Sequence, residues 1–209
     1  GHTSHGVVPT EVVRAARGGL APVARWLHAV GITANAITVA GVALTIVGAA
    51  LLVVGQLGAA LAVLAIGALA DTLDGAIARA AGGGTRFGAF LDSTADRMAD
   101  AAIFSAAAAL GASQGDPILF WSAMVALSAS FLVSYVRAKA ESLGAAATVG
   151  PAPREARLVI VLAGIAGWAI LALPPLFVTA VAAVALLSTL TLIQRVVAVA
   201  AALQTKSDR

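Results

Sequence analysis

Residues 58–96 read GAALAVLAIGALADTLDGAIARAAGGGTRFGAFLDSTAD. The stretch 58–80 is apolar over most of its length, and roughly 20 such residues suffice to cross a bilayer as a helix. Yet this run ends in two carboxylates, Asp71 and Asp74. Gly82-Gly83-Gly84 then turns the chain, and the next apolar run opens with Asp92 and Asp96. A carboxylate at the centre of a spanning helix costs about 2.5–3.5 kcal/mol on insertion scales. The first pair is spaced i, i+3 and the second i, i+4, so each pair faces one way. The glycine turn brings the two pairs together at one membrane face. Four converging carboxylates repel unless some hold protons or a multivalent cation sits among them.

Further apolar runs lie on either side. With 36–55, 88–112, 117–140, 156–173 and 176–202, the chain offers six candidate spans. They are separated by Gly55 to Gly58, the triple glycine, Asp116-Pro117, Pro151 to Pro153 and Pro174-Pro175. Hydrophobic residues make up 60% of the 209 and charged residues 11%. A soluble domain carries about 25% charged residues. An ordinary soluble enzyme, a disordered chain and a coiled coil are thereby excluded. The expected fold class is an all-α membrane protein of six transmembrane helices. No cysteine is present, so disulfides, zinc–thiolate sites and thiol nucleophiles are excluded. The net charge is only +3, and its placement points to a membrane rather than to nucleic acid.

Every Lys and Arg falls in or near the N-terminal segment, loop 2–3, loop 4–5 or the C-terminus. Loops 1–2, 3–4 and 5–6 have none. The positive-inside rule then places both termini and the acidic face in the cytoplasm, in the cell membrane. Five or seven spans would scramble this segregation. Residues 9–30, PTEVVRAARGGLAPVARWLHAV, interleave apolar residues with Arg14, Arg17 and Arg25 and begin at a plausible helix start, Pro9-Thr10-Glu11. They read as an amphipathic helix in the headgroup layer, contacting membrane lipids. No apolar core precedes a cleavage site, which argues against a signal peptide. His2, His5 and His28 form no metal pattern. The domain reading is therefore 1–35 as a juxtamembrane segment, 36–203 as the membrane domain and 204–209 as a short cytoplasmic tail.

Hard oxygen donors without Cys or clustered His favour Mg²⁺, Mn²⁺ or Ca²⁺. Two such ions about 4 Å apart can clamp a phosphoryl group. Two other readings use the same acids: pairing with Arg79, Arg86 and Arg97, or a divalent-cation transporter. The transporter reading needs acids deep across the bilayer, but the outer halves of the six spans have no ionisable residue.

From Asp71 the sequence has the form D-x2-D-G-x2-A-R-x8-G-x3-D-x3-D. It resembles the signature of the CDP-alcohol phosphotransferase family. Asp71, Asp74, Gly75, Ala78, Arg79, Gly88, Asp92 and Asp96 fill its fixed positions. Six spans behind an interfacial helix also match that family, so the resemblance covers nearly the whole chain. It implies transfer of a phosphoalcohol group from a CDP-alcohol to a hydroxyl, with release of CMP. It implies that Asp71, Asp74, Asp92 and Asp96 ligate metal, two Mg²⁺ ions with Mn²⁺ as a substitute, and that Asp96 is the catalytic base. It also implies a homodimer. The CDP-alcohol would lie along Gly75, Ala78, Arg79 and Gly88, with Thr85 and the segment Asn35, Ala36, Ile37 and Thr38 contributing. Gly75 and Ala78 leave the helix backbone open to a flat nucleotide, and Arg79 can meet a phosphate with its bidentate fork. Family members often have proline where Ala34 stands. Asp100 continues the 92–96–100 ladder outside the signature and reads as a support or an arginine partner.

The remaining bases bear on the acceptor. Ser134 and Arg137 lie at the end of span 4, Arg154 and Arg157 at the start of span 5, and Arg195 inside span 6 with no acid near it in sequence. A charge within a span calls for an anion or a wet cavity. These residues could hold a phosphate, or decorate the inner face and bind lipid headgroups. The pattern SYVRAKAE, REARL and QR, with GGGTRFGAFLD, resembles the actinobacterial members that make phosphatidylinositol phosphate. That resemblance implies CDP-diacylglycerol and inositol phosphate as substrates. Glycerol 3-phosphate, as used by a phosphatidylglycerophosphate synthase, is the alternative acceptor.

Overall fold

In the computed structural model, residues 22–145, 150 and 153–207 are described. All regular elements among them are helices. Residues 22–29 form α1. It is followed by α2 (Ala34–Val53), α3 (Leu57–Ala80), α4 (Arg86–Gln114), α5 (Pro117–Ser142), α6 (Arg154–Leu171) and α7 (Pro174–Ser207). The chain divides into two compact units, 1–106 and 107–209, with α4 running through the boundary. The expected helix start at Pro9-Thr10-Glu11, with Arg14 and Arg17, lies outside the described residues.

Local chemistry sets the helix ends. Thr33 caps α2, its hydroxyl accepting from the Ala36 N–H at 3.2 Å. Thr85 does the same for α4, accepting from the Gly88 N–H at 2.9 Å. Asp116 caps α5 from the Leu119 N–H at 2.9 Å, with Pro117 in the first turn. Gly82 and Gly83 take φ values of 91° and 126° between α3 and α4, a conformation open to glycine and poor for other residues.

In the first unit α2 and α3 pack antiparallel along a seam of small residues. A Cβ on Gly48 would stand 2.6 Å from Leu64, and one on Gly67 2.9 Å from the Thr45 hydroxyl. Gly41 faces Ala70 in the same register. Such residues let helix backbones approach where no water-driven force joins helices. Ala24 of α1 is buried against Ala76 and Ile77 of α3, with Leu27, Ala34, Ile37 and Leu73 around them. Helix α1 thus braces the end of α3 that carries the acids. Val23, Trp26 and Val30 of the same segment are exposed.

In the second unit α7 packs against both α5 and α6. Val199 and Leu203 cover Ala140 and Ala145, and one turn or more earlier on both helices Arg195 reaches the Val133 carbonyl, so α5 and α7 run in the same direction. Gly164 and Gly167 of α6 lie against Ala180, Phe177 and Leu176. Trp168 stacks on Phe177 at 5.9 Å.

Among the described residues four helices, α2, α3, α5 and most of α7, are long and apolar enough to cross a membrane. Only a third of each such window is buried within the protein. Large side chains such as Val39, Ile66, Trp121 and Val197 face outward. Six spans were expected from the sequence. The remaining two helices at those positions, α4 and α6, carry charged groups within the helix: Asp92, Asp96, Arg97 and Asp100 on α4, and Arg154, Glu155 and Arg157 on α6.

Candidate metal centre and nucleotide site

Three of the four acids expected to converge do so in the first unit. Asp71 and Asp74 stand one turn apart on α3, and the glycine turn returns the chain so that α4 presents Asp92. One carboxylate oxygen from each of the three lies within 4.8 Å of the other two. Asp74 is buried, Asp71 half-buried and Asp92 exposed. Three anionic oxygen donors this close suit a hard divalent cation, which neutralises their repulsion. Asp96 is not part of this trio. Its Oδ2 accepts from Arg97 Nη1 at 3.2 Å, and the same nitrogen donates to the Ser93 carbonyl at 2.8 Å. Asp100 lies half-buried a further turn along α4.

The segment expected to touch the nucleotide divides its work. Asn35 faces the start of α4: a Cβ on Gly88 would stand 3.2 Å from Asn35 Oδ1 and 3.1 Å from Thr85 Oγ1. Asn35, Thr85 and Gly88 therefore meet, and the missing side chain at Gly88 gives them room. The Ala36 N–H is taken by the Thr33 cap, and Ile37 packs into the core around Ala24. Thr38 is buried, and its hydroxyl donates to Asp74 Oδ2 at 2.6 Å. That bond to a metal-ligand candidate had no sequence signal beyond the Thr itself. On α3, Arg79 is exposed, and a Cβ on Gly75 would come within 3.4 Å of its Nη1. Ala78 is half-buried on the same stretch of α3. Gly75 thus leaves the guanidinium and the helix backbone accessible side by side.

The bases considered for an acceptor phosphate lie in the second unit. Arg195 Nη1 donates to the Val133 carbonyl at 3.1 Å, beside Ser134, whose hydroxyl donates to Ser130 O at 3.1 Å. Arg157 is buried and Arg154 half-buried on the first turn of α6. Arg137 is exposed and pairs with Glu141 at 2.9 Å, an i, i+4 contact of the solvated helix end. Arg195 is thus brought to the Ser134 turn of α5, whereas Arg137 is engaged along its own helix.

Comparison with known proteins adds four findings. The family model described as CDP-alcohol phosphatidyltransferase matches residues 31–205. A phosphatidylinositol phosphate synthase of Mycobacterium marinum is 38% identical over 83% of this chain and 76% of its own length. The crystal structure of the Mycobacterium tuberculosis phosphatidylinositol phosphate synthase with CDP-DAG bound superposes with a TM-score of 0.79. It is 36% identical and covers 86% of this chain and 92% of that one. The same tuberculosis enzyme crystallised with manganese and citrate also gives a TM-score of 0.79, covering 86% of this chain and 88% of its own.

Proposed function

Because the chain belongs to the CDP-alcohol phosphatidyltransferase family, we propose that it transfers the phosphatidyl group of CDP-diacylglycerol to a hydroxyl of inositol phosphate, releasing CMP and forming phosphatidylinositol phosphate. The observation that carries this reading is the convergence of Asp71, Asp74 and Asp92 at the spacing of the family signature.

In this reading Asp71, Asp74 and Asp92 hold a divalent cation, with Asp96 completing a two-ion site for Mg²⁺ that also accepts Mn²⁺. The bound cations supply charge neutralisation to the pyrophosphate and the departing CMP. Asn35, Thr85 and Gly88 form one side of the nucleotide site, and Gly75, Ala78 and Arg79 the other. Arg79 orients a phosphate oxygen. Asp96 takes the proton of the acceptor hydroxyl as its oxygen attacks the phosphorus that bears diacylglycerol. The new P–O bond forms as the bond to the CMP oxygen breaks, and CMP leaves with that electron pair. Ser134, Arg137, Arg154, Arg157 and Arg195 hold the acceptor's phosphate.

The reading extends to topology. The polar helices α4 and α6 also cross the membrane, giving six spans across 36–203 behind the 1–35 segment. The 204–209 tail, the N-terminus and the acids face the cytoplasm at the cell membrane. The active form is a homodimer, for which small-residue helix surfaces leave room.

The test is an acceptor panel with CDP-diacylglycerol and Mg²⁺, following CMP release and the lipid product. Inositol phosphate is expected to be used far better than inositol, glycerol 3-phosphate or serine. Preference for glycerol 3-phosphate would reassign the acceptor, and absence of CMP release with every acceptor would remove the enzymatic reading.

A further inference from the structure

The contact between Thr38 and Asp74 links two helices across 36 residues of sequence, and both residues are nearly sealed from solvent, at 7% and 5% exposure. Its 2.6 Å length is that of a hydroxyl donating to a charged carboxylate. In a site of low polarity such a bond is stronger than in water. The hydroxyl has a second acceptor in reach, the Ala34 carbonyl at 3.0 Å on its own helix. It has one proton, and the closer, anionic oxygen is the better acceptor. Both acceptors are within reach of the one Thr38 oxygen. They therefore select one rotamer of a β-branched residue that has few in a helix.

The scaffold behind this bond is stiff. Gly41, Gly48 and Gly67 hold α2 against α3 at backbone contact, so Thr38 cannot withdraw without opening the seam. Asp74 is thus fixed about its side-chain torsions by a donor on the neighbouring helix.

We propose that Thr38 is a positioning residue for the Asp74 carboxylate and thereby sets the divalent-cation affinity of the acidic trio. The inference rests on the metal-dependent reading of that trio given above. It differs from the expectation that Thr38 touches the nucleotide, because the hydroxyl proton is directed to Asp74. Loss of an outer-shell partner of a metal ligand typically costs about 10–100-fold in affinity.

The experiment measures Mn²⁺ affinity by titration of the full chain in nanodiscs, with no nucleotide present. Thr38→Val, which keeps the shape and removes the donor, is expected to weaken Mn²⁺ binding about 10–100-fold. Thr38→Ser, which restores a hydroxyl, is expected to return to within a few-fold of the parent. Thr38→Val combined with Asp74→Asn should bind no more weakly than Asp74→Asn alone, because the two act through one carboxylate. Thr38→Ala stands in should Thr38→Val fail to fold. Unchanged Mn²⁺ affinity in the folded Val or Ala variant overturns the proposal, even if turnover is lost. Failure of both to fold beside a folded Ser variant also overturns it, by showing a purely structural hydroxyl. A parent that binds no Mn²⁺ would instead defeat the metal reading, and this inference with it.

Discussion

Asp74→Asn separates the metal reading from a structural one by the sign of its effect on stability. Asp74 is one of three carboxylates whose ligand oxygens lie within 4.8 Å of each other. Two unit charges at that distance repel by about 3 kcal/mol at an effective dielectric constant of about 20. Neutralising Asp74 removes two of the three repulsions. Asp92 is exposed, and salt screens its share, so a net relief of about 1–3 kcal/mol is the reasonable expectation. The replacement keeps an oxygen for the Thr38 hydroxyl, and its amide can donate to the neighbouring carboxylates. In EDTA the variant should therefore melt as high as the parent, or higher by on the order of 5 °C. With Mn²⁺ at about a thousand times its dissociation constant, the parent should gain about 4.1 kcal/mol and overtake it. The variant should gain little and release no CMP. Thermal unfolding in nanodiscs, with and without Mn²⁺, reads both arms. If the acids instead serve to pair with Arg79, Arg86 and Arg97, Asp74→Asn should be clearly destabilised in EDTA. That result, or a full Mn²⁺ gain in the variant, would refute the reasoning.

Three further outcomes are expected. Asp96→Asn should lower turnover by about 10²–10⁴-fold, the usual worth of a general base, while keeping the share of the Mn²⁺-dependent rise in melting temperature that comes from the ion held by Asp71, Asp74 and Asp92; turnover within a few-fold of the parent would remove its role as base. Arg195→Ala and Arg157→Ala should raise KM for inositol phosphate roughly ten- to a hundredfold, as loss of a charge-assisted hydrogen bond costs about 1.5–3 kcal/mol; in acceptor and donor titrations a lipid-headgroup role would leave that KM unchanged. Gly67→Val should destabilise the first unit by about 1–3 kcal/mol through overpacking, because a Cβ there would stand 2.9 Å from the Thr45 hydroxyl and 3.2 Å from the Gly41 carbonyl; thermal unfolding measures it.

What the sequence by itself determined is local and periodic. Apolar runs of bilayer length between glycine and proline breaks placed α2, α3, α5 and α7 to within a few residues at most boundaries. Capping residues such as Thr85 and Asp116 act at sequence distances a reader can count. The i, i+3 spacing of Asp71 and Asp74, with a glycine turn before Asp92, was enough to predict their meeting, since one reversal joins neighbouring helices. The tertiary structure decided what depends on how closely helices approach. Thr38 could be placed on α2, but its bond to Asp74 exists because Gly41, Gly48 and Gly67 bring α2 onto α3 in one register. Asn35 and Thr85 both close on Gly88 because it offers no side chain. Asp96 continues the α4 ladder, yet its carboxylate turns to Arg97, and Arg137 turns to Glu141. Helical periodicity fixes which face a residue occupies. The partner that a long side chain selects on that face is a competition among neighbours within hydrogen-bond reach, and it is settled only when the helices pack.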